Sequence, residues 1–280
     1  MASDTTLKKI LRFTKVEHTI FSLPLIFTGA FLGGGGRFPR FSIMVLIVVA
    51  AVGARVFGMS MNRVFDRHID QMNPRTANRE LPSGKLSLKM AVFIALAGLG
   101  VYLVACGLLN PWCLVLSPIP LIPLLGYSLL KRFTALCHFG IGLCLAISPM
   151  GAYVAAAGNP NLPATVFIFA GFVFFWLSGA DIIYAILDID SDRKNHIYSI
   201  PAWLGEKGAL QVAGGVHLTC WIFLVILVKM MHGGPMAWAA LFISAVFLVM
   251  MYVPRIPVSQ RFFPISNIAG IAGAIAPMVA

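Results

Sequence analysis

Six of the ten acidic residues fall in two clusters whose spacing suits cation binding. The first, Asn62-Arg63-Val64-Phe65-Asp66-Arg67-His68-Ile69-Asp70, is an N-x-x-x-D-x-x-x-D pattern. The second places Asp181, Asp188, Asp190 and Asp192 within one twelve-residue stretch. A helix turns about 100° per residue, so steps of four advance only about 40° and Asn62, Asp66 and Asp70 share a face. On one continuous helix Asp181, Asp188 and Asp192 lie within about 20° of a common direction, while Asp190 points to the opposite side. The spacings Asp66 to Asp188 and Asp70 to Asp192 are equal, which hints at a duplicated helical unit.

Hard oxygen ligands at i and i+4 suit Mg²⁺, which takes one or two carboxylates and completes its shell with phosphate oxygens and water. Asn62, Asp66, Asp70, Asp188 and Asp192 are the candidate ligands. Two such clusters face to face can clamp a diphosphate and stabilise it as a leaving group. The plainer alternative is a pair of solvated helix ends balanced by Arg63, Arg67 and Arg193. Two matched clusters on one side of the molecule weigh against it.

Arg55 lies seven residues before Asn62, on the same helical face, inside an apolar run where a charge costs at least about 2.5 kcal/mol. Two readings fit it: an internal counter-ion for Asp66 or Asp181, or a group that orients a carboxylate or diphosphate of the substrate. Arg79, Lys131 and Arg132, in connections near the clusters, are candidate anion donors. Loops at a membrane surface carry such charges without any ligand.

The elements that must hold these residues are membrane helices. Apolar residues make up 59% of the 280 and charged residues 11%, against about 25% charged in soluble domains. Spanning runs are expected near 19–36, 41–63, 88–108, 111–130, 134–157, 163–187, 208–231, 236–254 and 262–280. Continuous runs of this length exclude barrel strands. The fold class is therefore all-α, a polytopic membrane protein of about nine transmembrane helices in one domain over 1–280. In the sixth run, with Phe167, Phe169, Phe172, Phe174, Phe175 and Trp176, most rings should face lipid or neighbouring helices. One or two are placed to shield a cation by cation–π contact.

Seventeen of the twenty-one basic residues fall on one side of this layout and three on the other, with Arg55 inside a span. That bias predicts a cytosolic N-terminus in an inner membrane, with both acidic clusters at the cytosolic face. The net charge of +11 carries no basic run, so the bilayer surface, not nucleic acid, is the expected partner. Cys106, Cys113, Cys137, Cys144 and Cys220 form no C-x-x-C pair and read as helix-packing residues. The N-terminus lacks the form of a cleaved signal peptide, and its apolar stretch is expected to stay as the first span. A divalent-cation transporter, the rival class, would spread polar groups along the spans and not gather them at one face. The D-x-x-D-G-x-x-A-R signature of CDP-alcohol transferases is absent.

Arg55, the cluster at 62–70, R-T-A-N-R-x-L-P-S-G at 75–84, Y-x-x-x-K-R-x-T at 127–134 and D-x-x-Y-A-x-x-D-x-x-x-D at 181–192 follow one another in this order. Together they resemble the UbiA superfamily of intramembrane aromatic prenyltransferases, 4-hydroxybenzoate polyprenyltransferases among them. The resemblance implies a helical bundle around a cavity open sideways to lipid, with Mg²⁺ and polyprenyl diphosphate held by both Asp motifs. It implies electrophilic substitution on an aromatic acid acceptor, in ubiquinone or menaquinone biosynthesis. It also implies catalytic roles for Asp66, Asp70, Asp181, Asp188 and Asp192, and substrate binding by Arg55, Asn62, Arg79, Tyr127, Lys131, Arg132 and Tyr184. Two features depart from the pattern. Arg63 stands where an Asp is usual. Ile197-Tyr198-Ser199-Ile200-Pro201-Ala202 replaces the I-K-S-T of many 4-hydroxybenzoate enzymes and is closer to members whose acceptor is a dihydroxynaphthoate, in the futalosine menaquinone route.

Overall fold

Proline and short polar residues set the helix starts. Pro111, Pro118, Pro201 and Pro235 occupy first-turn positions, where a missing N–H costs nothing. Ser87, Asn110 and Ser199 each accept a backbone N–H three residues on, at 3.0 to 3.2 Å, as N-caps do. The computed structural model describes residues 6–15 and 19–280, and among these it is helical without strands.

The helices are α1 (Thr6–Thr14), α2 (Thr19–Gly33), α3 (Phe41–Met72), α4 (Leu88–Leu109), α5 (Pro111–Leu116), α6 (Pro118–Leu130) and α7 (Cys137–Ala157). They continue as α8 (Ala164–Tyr184), α9 (Ile189–Lys194), α10 (Ile200–Met230), α11 (Pro235–Met250), α12 (Val258–Gln260) and α13 (Ser266–Ile275). Six segments are long and apolar enough to cross a bilayer: α3, α4, α5 with α6, α7, α8 extended to Lys194, and α10. The expected nine spans are not all reached by length. Helices α2 and α11 are shorter apolar segments. The last run breaks into a π-helical turn at Arg261–Ile265, α13 and a 3₁₀ turn at Ala276–Met278.

Two boundaries moved in ways that matter. Helix α3 runs nine residues past the expected end at 63, so the whole first cluster is helical. Helix α8 ends at Tyr184, before the expected 187, and a 3₁₀ turn at Ala185–Asp188 separates it from α9.

Helix α8 is the centre of the bundle. Phe169, Phe172, Val173, Trp176, Ile182 and Ile183 are buried along it, packed by α7 on one side and α10 on the other. The rings of this run thus divide: Phe169, Phe172 and Trp176 are interior, whereas Phe167 is exposed. Helices α3 and α4 meet at Gly53 and Gly98. A Cβ on Gly53 would sit 2.7 Å from the Tyr102 nitrogen, and one on Gly98 2.9 Å from the Phe57 nitrogen. Only small residues allow that approach, the usual route to tight helix pairs in lipid.

The connections at 73–87, 131–136 and 185–199 come together at one end of the bundle. Arg75 bonds Asp188, and the Tyr198 N–H donates to the Lys131 carbonyl at 2.8 Å.

Candidate functional site

Helix α3 aligns the first cluster as its periodicity requires. Asn62 Nδ2 donates to Asp66 Oδ2 at 3.0 Å, one turn apart. Asp66 is 3% exposed and Asp70 5%, and each has its own cation. Lys131 Nζ lies 2.7 Å from Asp66 Oδ2. Arg79 Nη1 donates to both Asp70 oxygens at 2.8 and 2.9 Å, while Thr76 Oγ1 caps the Asp70 carbonyl at 2.8 Å. Arg132 instead donates to the Phe65 carbonyl at 2.6 Å, so it braces the first cluster's backbone.

The second cluster is built differently. The 3₁₀ turn at Ala185–Asp188 advances the chain faster than 100° per residue, so Asp188 and Asp192 leave the phase with Asp181 that one continuous helix would give. Each takes a separate partner. Asp188 accepts Arg75 Nε at 2.8 Å and Nη2 at 2.5 Å, with Asn73 Nδ2 at 2.7 Å. Burial opposes the charge on Arg75, but the Asp188 hydrogen bonds outweigh it and hold the guanidinium pKa above its ordinary value. Arg75 also donates to the Tyr184 hydroxyl at 2.9 Å and lies 5.0 Å from that ring's centroid. Asp192 accepts the Ser199 hydroxyl at 2.8 Å. Asp181 Oδ2 lies 2.7 Å from His138 Nδ1. Asp190 is exposed, outside the set.

The two clusters share one charged neighbourhood. Lys131, bonded to Asp66, also lies within electrostatic reach of Asp192, as does His138. Tyr127 senses Asp66, Arg55 and Asp181 together. Arg75, Asn73, His138 and Ser199 were not among the residues singled out from sequence. Arg75 and Ser199 lay in stretches already noted, but nothing in their spacing announced their partners. His138 stands in an apolar helix without any motif.

Behind this polar end opens a cavity of about 440 Å³, within the range of ordinary ligand sites. Its wall is mostly aliphatic and aromatic, with Trp176, Phe262 and Phe263 on one part and Cys106, Leu109 and Leu162 on another. Arg55 and Tyr127 also line it. Arg55 is the one charged residue among the described lining residues, and its Nε donates to the Lys15 carbonyl at 3.1 Å. An apolar chamber whose wall includes Arg55 and Tyr127, the latter within electrostatic reach of Asp66 and Asp181, accommodates an amphiphile with a hydrocarbon tail and an anionic head.

A divalent ion fits the acids in one respect and needs help in another. Asp66 Oδ1 is buried without a hydrogen-bond partner among the described residues, an orphaned hard acceptor. No three Asp, Glu, His or Cys side chains among them already converge on one point. Mg²⁺ would need oxygen ligands from a bound phosphate, which is its habit.

A model of the UbiA prenyltransferase family matches residues 22–279. The chain belongs to that family. The 4-hydroxybenzoate octaprenyltransferase of Photobacterium profundum is 28% identical over 232 residues, covering 81% of this chain and 79% of the relative. The digeranylgeranylglyceryl phosphate synthase of Natronomonas pharaonis is 32% identical over 227 residues, covering 75% and 78%. The apo structure of a UbiA homologue from Aeropyrum pernix K1 superposes with a TM-score of 0.81 at 33% identity, covering 94% of this chain and 96% of that one. A UbiA homologue from Archaeoglobus fulgidus bound to GPP and Mg²⁺ gives 0.70 at 19% identity, covering 97% and 100%. This UbiA-family chain is thus an integral membrane protein of the prenyltransferase class.

Proposed function

We propose that this prenyltransferase moves a polyprenyl group from polyprenyl diphosphate to an aromatic acid of the 4-hydroxybenzoate kind, in quinone biosynthesis. The observation that carries the reading is Arg55, the one charged group among the described residues lining an apolar cavity, whose Tyr127 lies within reach of Asp66 and Asp181. The tail takes the cavity and the diphosphate takes the polar end. The family resemblance and the 4-hydroxybenzoate relative support it.

Asn62, Asp66, Asp70, Asp188 and Asp192 would hold Mg²⁺, whose contribution when bound is to neutralise charge on the departing pyrophosphate. Lys131, Arg79 and Arg75 pair with Asp66, Asp70 and Asp188. With substrate present they are free to turn to the diphosphate oxygens, while Tyr127, Tyr184 and Arg132 frame the site. Departure of pyrophosphate leaves an allylic carbon with cationic character, which an electron-rich ring carbon attacks. Arg55 holds the acceptor carboxylate in two parallel hydrogen bonds, away from that electrophile. Asp181 receives the proton the ring gives up. The basic-residue bias supports a site at the cytosolic face of an inner membrane. A cysteine placed at Gly84 should then label only from the cytosolic side; labelling from outside intact cells would reverse the orientation.

Two other acceptors have specific support. The Tyr198-Ser199-Ile200-Pro201 stretch favours a dihydroxynaphthoate, and the Natronomonas relative favours an alkylglycerol phosphate, whose anion Arg55 could equally hold. The deciding experiment offers all three acceptors side by side to the purified protein with Mg²⁺ and a polyprenyl diphosphate. Prenylated 4-hydroxybenzoate as the main product supports the proposal. Product from either of the others alone replaces it.

A further inference from the structure

His138 is 2% exposed, and both of its ring nitrogens are engaged. Nδ1 lies 2.7 Å from Asp181 Oδ2. Nε2 lies 3.3 Å from the Ile200 backbone nitrogen. A backbone N–H only donates, so Nε2 must supply a lone pair and the ring proton must sit on Nδ1, directed at Asp181. The backbone thus fixes the tautomer. Ile200 opens α10 immediately after Ser199, which holds Asp192, so one short stretch orients both His138 and a member of the second cluster.

The geometry points to His138 as a positioning residue that aims Asp181, through its Nδ1–H, as the base that collects the acceptor's proton. This rests on the transfer proposed above. In the step, the allylic C–O bond to diphosphate breaks and a bond forms from the prenyl carbon to the ring. The ring C–H electron pair returns to the ring, and the proton passes to Asp181 and then to water. His138 engages Oδ2 and leaves Oδ1 as the receiving atom. Asp181 and Arg55 both act on Tyr127 in the cavity wall, so the base lies in the same neighbourhood as the group proposed to hold the acceptor. The imidazole itself need not gain or lose a proton, since a proton on Nε2 would expel the Ile200 N–H.

The test compares His138→Asn, whose amide N–H₂ superposes on Nδ1, with His138→Gln, whose amide reaches the Nε2 position, and with His138→Leu. Purified full chains are assayed with geranyl diphosphate, Mg²⁺ and 4-hydroxybenzoate, protiated or ring-deuterated. The Asn variant should keep kcat within about threefold, whereas Gln and Leu should lose about 100-fold, the scale of a misplaced general base. Geranyl diphosphate binding and the acceptor KM should stay near wild type in all three. Ring deuteration should slow the Leu variant more than the wild type, because proton removal has become limiting. Equal losses in Asn and Leu, recovery by Gln alone, or an unchanged isotope effect in Leu would overturn the role. The wild-type control separates this from the reading beneath it. If the wild type prenylates no aromatic acid, the proposed function fails; if it does and the variants do not split, only the role of His138 fails.

Discussion

The two acidic clusters reach the same end of the bundle by opposite means. In the first, one uninterrupted helix carries Asn62, Asp66 and Asp70, and the cation on Asp70 comes from the connection that follows directly. Its acids are almost wholly buried. In the second, the helix breaks at Ala185–Asp188, and the partners Arg75 and His138 come from two other parts of the chain, with Ser199 seven residues beyond Asp192. Asp181 and Asp188 keep 25% and 15% of their side-chain surface. Helix periodicity makes a rigid half-site; tertiary contacts make one whose members can be set separately.

The largest effect should come from removing one acid of each cluster. Asp66→Asn and Asp188→Asn should both lower kcat by about 10³-fold, the cost of losing one preorganised charge on a reacting group. Stability should separate them. Asp66→Asn strands Lys131 against a buried amide and should cost about 3 kcal/mol. Asp188→Asn should cost about 1 kcal/mol, because its partner Arg75 is a third exposed and screened by solvent. Activity assays with chemical denaturation in detergent check both halves. Equal destabilisation would erase the distinction between a rigid and an adjustable half-site.

Arg55→Ala should come next, raising the acceptor KM by about 30-fold, the worth of a charge-assisted bidentate contact. The KM for the prenyl diphosphate should move by no more than about twofold, as befits a residue off the leaving-group side. A variant that instead lost prenyl diphosphate affinity would put Arg55 with the diphosphate and leave the acceptor's acid without a named partner.

This contrast also explains what was legible in the sequence. Asn62, Asp66 and Asp70 needed only a count of residues per turn, so their shared face could be read without coordinates. The helices were legible because apolar runs between basic loops admit few alternatives in lipid. The break after Tyr184 was not, since Tyr184-Ala185-Ile186-Leu187 has no Gly or Pro and looks helical; packing set it. His138 could not be found because its significance lies wholly in Asp181 and Ile200, 43 and 62 residues away. The short last span illustrates the reverse limit: hydropathy saw one run from 262 to 280, while Pro264 and Pro277 divide it.

Arg63 tests the rigid half-site from behind. It is 4% exposed, and its Nε and Nη1 have no hydrogen-bond partner among the described residues. Asp70, Arg79, Glu80 and Tyr127 act on it only through the field. A buried cation so placed should be replaceable by an apolar side chain at no cost in stability. Arg63→Met should raise Tm by about 2–4 °C, the shift that about 1 kcal/mol gives in a chain of this size class. Removing a positive charge near Asp70 should also make the cluster more attractive to a divalent cation, lowering the Mg²⁺ concentration for half-activity by about threefold, or about 0.6 kcal/mol at the effective dielectric of partly buried sites. Thermal unfolding and a Mg²⁺ titration measure the two. A large fall in kcat at unchanged Mg²⁺ dependence would make Arg63 a substrate contact.

The smallest effect belongs to Asp190, and it separates two reasons for one expectation. On an unbroken helix Asp190 would point away from Asp188 and Asp192 by periodicity alone. That helix is broken between Tyr184 and Ile189, so the phase from Asp181 no longer decides anything. Asp190 is set aside instead because α9, short as it is, carries it outward to solvent while Asp192 turns in to Ser199. An exposed carboxylate interacts weakly with its neighbours through water and salt. Asp190→Asn should therefore change kcat and both KM values by less than about twofold at physiological ionic strength, and somewhat more at low salt. Asp192→Asn, two residues on, should match Asp188→Asn. If Asp190→Asn proved as damaging as Asp192→Asn, the 3₁₀ turn and α9 would have to rearrange when the diphosphate binds, and the adjustable half-site would extend to this whole segment.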